Sequence, residues 1–279
     1  MGYGIGLLLP RAVLHRKMAS VASPSASEIA RYSDSILDTA NTPDYPNALN
    51  GLQLENHGHV RGIAAAVDFS TRAIEGAIAG DANLLVVHHG MFWGGQETLT
   101  GPAYSRLRLM FDNDVAVYSS HLPLDRHPTL GNNVLLASEL KLKPEMPFAR
   151  HENFSIGVAG VSDIETHLLL ERANTFAERE GGSGRASYFK SGRRTKKWGI
   201  CTGAGASADT IAEALSAGID TLIVGEGPHW TAISAEEHGL VIIYAGHYAT
   251  ETLGVRALAT HLSEHFGMPW TFVSAPTGL

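Results

Sequence analysis

At 279 residues the chain is long enough for one large domain or two lobes, and its mean hydropathy near zero is that of a globular protein. A formal net charge of -7 speaks against a general nucleic-acid binder, which needs a basic surface to neutralise phosphates. The single cysteine, Cys201, excludes an intramolecular disulfide and a Cys-rich zinc site, and no apolar run approaches the roughly 20 residues of a membrane span. A cytoplasmic setting is the expectation, since disulfides are rare in reducing compartments.

Residues 1–26 read as an N-terminal extension. No acidic residue precedes Glu28, and Arg11, Arg16 and Lys17 are followed by the Ala/Ser/Pro-rich run Ala19 to Ser27. An organellar transit segment is one reading. A disordered or non-native stretch ahead of a second start at Met18 is the favoured one.

From Ser27 as N-cap, the spacing of Ile29, Tyr32, Ile36 and Leu37 predicts a helix. Pro43 to Asn47 is a loop, and Asn50 to Glu55 either runs along a site or forms an edge strand. Ile63 to Val67 predicts a strand. Ser70 or Thr71 then caps a helix holding Ile74, Ala77 and Ile78, and a turn at Asp81 leads into Leu84-Leu85-Val86-Val87-His88-His89-Gly90. This is a β-α-β unit, which implies parallel pairing.

The apolar run at 84–87 suits a strand buried on both faces. His88 and His89 end it, and Gly90 allows a sharp turn. Ligands of open α/β sheets bind at the carboxyl ends of strands. Alternating Cβ directions predict that the two histidines diverge, and so serve two neighbouring metal ions rather than chelate one. Hydrogen-bonded capping histidines are the alternative.

Met91, Phe92 and Trp93 are expected beside the strand mouth. A helix over Tyr104 to Phe111 and a strand over Val115 to Ser119 follow. Pro123 and Pro128 predict that His121 to Asp125 is an extended loop, and Gly131-Asn132-Asn133 opens a helix. Residues 141–160 read first as loop and then as strand at Ile156 to Val158, ahead of a helix from Ile164 to Arg179. Gly181 to Gly184 is a flexible connection. The basic run Arg193 to Lys197 is either a solvated loop or a contact for a phosphorylated ligand.

From Trp198 the earlier pattern returns: a strand at Ile200, a cap at Ser207, a helix, then Thr221-Leu222-Ile223-Val224-Gly225-Glu226-Gly227-Pro228-His229-Trp230. That passage aligns without gaps on Leu84 to Trp93. Val115 to His121 likewise lies on Val241 to His247, which places Asp125 on Glu251. Both halves therefore offer a strand, a histidine, three residues and a carboxylate. Packing does not call for that pair at equivalent strand ends, whereas two α/β lobes facing each other would bring the ends into one cleft.

His88, His89, Asp125, His247 and Glu251 form a mixed imidazole–carboxylate set. If His247 opens the last helix, its four-residue spacing to Glu251 puts both on one face. Such a set without thiolates suits two divalent ions, Zn, Fe, Mn or Co. Ions bridged by a carboxylate and a water lie about 3.5–4 Å apart in many hydrolases, and lower the water's pKa. His121 and Glu226, the repeat mates of ligand positions, are expected as outer partners with a role in catalysis. His229 is either a substrate contact or proton donor, or a packed histidine. Gly203 to Ala206 is a weak glycine signal with no phosphate-loop lysine. No Gly-x-Ser-x-Gly elbow is present.

These motifs, together with Asn50-Gly51-Leu52-Gln53 and Val224-Gly225-Glu226, resemble the Nif-three-like family from about Ser27 to the C-terminus. Its members commonly carry the name GTP cyclohydrolase 1 type 2 homologue. The resemblance implies two similar β-α-β lobes (lobe one about 27–140 plus the C-terminal helix, lobe two about 150–245), a dinuclear metal site and a ring-shaped homo-oligomer, often a hexamer. The family's ligands fall on His88, His89, Asp125, His247 and Glu251. Two readings follow. One is a metal-dependent hydrolase acting on a nucleotide-like or phosphoester substrate; the other is a metal-binding regulatory or interaction protein whose ions are structural.

Overall fold

The computed structural model describes residue 1 and residues 23–279, so most of the expected N-terminal extension lies outside the described residues. The first helix, α1 (Ala26–Ile36), is capped by Ser25 rather than Ser27. Ser25 Oγ accepts from the Glu28 N–H, and the Glu28 carboxylate accepts from the Ser25 N–H, a reciprocal capping box written in the sequence as Ser-x-x-Glu. Ser27 Oγ instead donates to Glu55.

The chain then runs β1 (Gly51–Leu54), β2 (Ile63–Asp68), α2 (Thr71–Ala79), β3 (Leu84–His89), α3 (Gly101–Asp112), β4 (Ala116–Ser119), α4 (Leu122–Asp125) and α5 (Asn132–Glu139). It continues through β5 (Met146–His151), β6 (Phe154–Glu165), α6 (Thr166–Arg179), β7 (Arg185–Ala186), β8 (Arg194–Cys201), α7 (Ala208–Ser216) and β9 (Thr221–Val224). α8 (His229–Glu237), β10 (Val241–Tyr244), α9 (His247–Phe266) and β11 (Trp270–Phe272) complete it. No described helix is long and apolar enough to cross a membrane.

Two sheets define two lobes. The first has the order β1-β4-β3-β2-β11, with β4, β3, β2 and β11 parallel and β1 an antiparallel edge. The second has the order β5-β6-β8-β9-β10-β7, with β8, β9 and β10 parallel. The repeat is thus real in three dimensions: β3 beside β4 in one sheet answers β9 beside β10 in the other.

Side-chain parity explains why these strands read as unbroken apolar runs. Leu84 and Val86 enter the cluster beneath α1 and α9, whereas Leu85 and Val87 enter the cluster beneath α2 and α3. In the second sheet Ile223 and Ile243 face one cluster, and Leu222, Val224 and Ile242 the other. A strand covered on both faces needs apolar residues at every position.

α9 belongs to both cores. Ala249, near its start, packs in the second lobe, and Val255, Leu258, Ala259 and Leu262 pack in the first. β11 then returns to pair with β2.

Three local expectations are corrected. His121 to Asp125 is not extended, because residues 122–125 form the helical turn α4 with Pro123 in its first turn, where a missing N–H has no helical partner to lose. The stretch 141–160 contains a hairpin, β5 with β6; Pro147 is tolerated because β5 is an edge strand. The basic run is not loop either, since Arg194 to Lys197 open β8.

Candidate metal centre

The carboxyl ends of neighbouring parallel strands deliver the first histidines. β3 ends in His88 and His89, and β4 is followed by His121, one helical turn ahead of Asp125. β10 leads through Gly246, at φ +88, into α9, which opens with His247 and carries Glu251 one turn further on.

Each of four imidazoles is tied at Nδ1. His88 donates to the Ser120 carbonyl at 2.9 Å, His89 to Asp68 at 2.8 Å, His121 to Asp44 at 2.9 Å and His247 to Glu226 at 2.8 Å. All four partners can only accept, so Nδ1 carries the hydrogen and each neutral ring keeps its lone pair on Nε2. Three of those nitrogens converge on carboxylates. His88 Nε2 stands 3.5 Å from Asp125 Oδ2 and 3.6 Å from Glu251 Oε1, while His89 and His247 Nε2 stand 3.5 and 3.2 Å from Glu251 Oε2.

Donor atoms of His88, His89 and His121 all lie within 4.8 Å of one another, as do those of His89, His247 and Glu251. His89 is common to both groups. The expected divergence of His88 and His89 is therefore not what the structure shows: their ring centroids are 4.8 Å apart. His88 Nδ1 turns toward Ser120 beyond β4 and His89 Nδ1 toward Asp68 of β2, and both Nε2 atoms nevertheless face Glu251.

The donor set fits a cation. His88 Nε2 and Glu251 Oε2 are each buried without a hydrogen-bond partner, a costly condition for a polar atom. Imidazole and carboxylate donors suit Zn, Fe, Mn or Co. Electrostatics point the same way. Burial alone would push His88 down, but Asp125 and Glu251 outweigh it and hold the ring well above its ordinary value. His247 rises to about 9 because Glu251 and then Glu226 overcome its burial. Burial would raise Glu251, yet His89, His88 and His247 hold it well below the usual carboxylate range. The carboxylates that favour a charged imidazole here would favour a bound cation for the same reason.

Backbone shape admits the carboxylate. Gly203 follows β8 at φ +62, and any side chain there would run into Glu251 Oε1. The glycines after Cys201 thus serve close approach, not phosphate binding.

A cavity of about 430 Å³ opens onto this group, with Tyr45 and Trp93 among its walls. The Trp93 ring lies 4.7 Å from that of His89 and 4.5 Å from that of His121, beside the strand mouth. Cys201 also borders the cavity, but burial pushes its thiol up, so it is a poor nucleophile.

Of the residues singled out from the sequence, His88, His89, Asp125, His247 and Glu251 are brought together. His121 stands within the donor group rather than outside it, and Glu226 orients His247. His229 is exposed at the start of α8 and does not line the cavity. The basic run is spent locally: Arg193 on Thr166, Thr221 and the Asp220 carbonyl, and Arg194 and Lys196 on Asp163.

Asp44 and Asp68 were not foreseen. Asp68 had a legible signal, a carboxylate ending the strand beside β3 and in register with His89. Asp44 had none, since its partner is 77 residues away.

The Duf34/NIF3 (NGG1p interacting factor 3) family model matches residues 24–277. A protein of Deinococcus radiodurans named GTP cyclohydrolase 1 type 2 homolog is 41% identical over 239 residues, 84% of this chain and 88% of that protein. One of the same name from Pyrococcus abyssi is 39% identical over 252 residues, covering 90% and 98%. Among solved structures, protein ybgI, of unknown function, superposes with a TM-score of 0.82 at 31% identity, covering 91% of this chain and 100% of that one. TTHA1606 from Thermus thermophilus does so at 0.79 and 32%, with the same coverage.

Proposed function

This chain belongs to the Duf34/NIF3 family, and from that premise we propose that it is a metal-dependent hydrolase acting on a nucleotide-like or phosphoester substrate. The observation that carries the reading is the convergence of Nδ1-tied histidines on Glu251 at the floor of an open cavity. His88, His89, His121, Asp125, His247 and Glu251 would hold two divalent ions, with His89 common to the two donor groups and Glu251 also facing His88. Such ions, when bound, supply a water of lowered pKa and a Lewis acid. Asp44, Asp68 and Glu226 keep the rings in one tautomer and one orientation. Trp93 and Tyr45 give a substrate an apolar wall beside the donors. The name shared by the relatives supports a nucleotide-like substrate.

One observation favours a second reading, in which the ions are structural: α9 carries two donors and packs in both cores, so ions bound there would fasten the lobes together.

The test is metal content per chain by mass spectrometry for wild type, Glu251→Ala and His88→Ala, followed by hydrolysis assays on nucleotides and phosphoesters. Two ions in wild type, lost in the variants, with metal-dependent turnover, is the expected result. Metal without turnover on any substrate would move the assignment to the structural reading. No uptake of Zn, Mn or Fe by wild type would sink both.

A further inference from the structure

Asn132 is wholly buried at the start of α5, and both ends of its amide are used. Its Nδ2 donates to Asp125 Oδ1 at 2.8 Å, and its Oδ1 accepts from the Gly254 N–H of α9 at 2.6 Å. We propose that Asn132 is a positioning residue that couples the donor Asp125 to the helix carrying His247 and Glu251, and that Gly254 is glycine in order to admit it. The inference rests on the metal-binding reading above.

The geometry supports each half. Asp125 is held through Oδ1, which leaves Oδ2 as the oxygen facing His88 Nε2 at 3.5 Å. A carboxylate fixed in this way cannot swing away from the imidazole opposite it. Gly254 lies inside a helix of 20 residues, where glycine is unfavourable relative to alanine. A packing reason is therefore wanted, and the structure supplies one: a Cβ at position 254 would stand 2.8 Å from Asn132 Oδ1. Gly254 follows Glu251 by three residues and His247 by seven, so the amide grips α9 one turn from Glu251 and two turns from His247.

The neighbouring Asn133 extends the joint. Its Nδ2 donates to the Asp125 and Ile156 carbonyls, and its Oδ1 accepts from the Thr202 N–H, tying the Asp125 backbone to β6 and to the end of β8. Two adjacent buried amides thus hold one donor in register with the second lobe and with α9.

The experiment titrates Mn²⁺, and separately Zn²⁺, into metal-stripped wild type, Asn132→Ala and Gly254→Ala by calorimetry, and records the thermal midpoint of each metal-free protein. Loss of such an orienting contact is expected to weaken metal binding about 10- to 100-fold. Gly254→Ala is expected to do the same although it touches no donor, and it decides the matter if Asn132→Ala does not fold. Variants that bind both metals as wild type does, whatever their thermal midpoints, would overturn the inference and leave a purely structural joint. Wild type that takes up neither metal would instead overturn the metal-binding reading on which the inference stands.

Discussion

Gly203 and Glu251 meet so closely that the carboxylate Oε1 occupies the space a side chain at 203 would need. The contact joins the end of β8 to the N-terminal part of α9. It makes a glycine at position 203 a condition of the site. Gly203→Ala should displace Glu251 and strain a backbone held at φ +62. Alanine at positive φ destabilises by more than about 1 kcal/mol, so urea unfolding and metal titration should both register the change. Wild-type behaviour in both would refute the contact's importance.

The side chain of Asp44 is covered and accepts from His121 Nδ1, the Leu122 N–H and Asn50 Nδ2. It sets the tautomer of His121 while remaining outside the donor groups. Asp44→Ala should weaken metal binding about 10- to 100-fold without changing the identity of any donor. Equilibrium dialysis against Zn²⁺ reads this directly. Unchanged affinity would show that His121 needs no orienting partner.

Stability and metal affinity should respond to pH in opposite senses. In metal-free protein the folded-state value of His247 is raised to about 9, above an unfolded value of 6.5. Its charged form therefore stabilises the fold fully below about pH 6.5, and that contribution fades as pH rises through about 9. Metal binding must expel the same proton, so metal affinity should rise over that interval. Thermal midpoints of stripped protein should fall, and metal affinities rise, between about pH 6 and 10. Parallel movement would mean that His247 is neither paired nor displaced.

Cys201 is the only cysteine, and its thiol is buried and raised by desolvation. A thiol-reactive probe should label native protein slowly and denatured protein promptly, at one group per chain. Fast native labelling would mean that the cavity wall opens far more readily than its packing implies.

Local pattern was enough to reveal a great deal. The strand end at His89, the strand leading to His121, the helix beginning at His247, and the gapless match of Leu84 to Trp93 on Thr221 to Trp230 all follow from periodicity and spacing. These signals lie within a few residues of one another, where backbone geometry is the same for every chain. Other local signals were overridden by position in the sheet: Pro147 reads as a loop residue and stands in an edge strand.

What only the tertiary structure decided is which groups meet. Asp44 reaches His121 across 77 residues and Asn132 reaches Gly254 across 122. His121 joins His88 and His89 because parallel pairing sets β4 beside β3. Strand and helix periods prescribe the direction of a side chain from its own backbone, but not the element that packs opposite. That choice is made by burial of the apolar faces of two sheets against one shared helix, and the polar contacts at their edges follow from it.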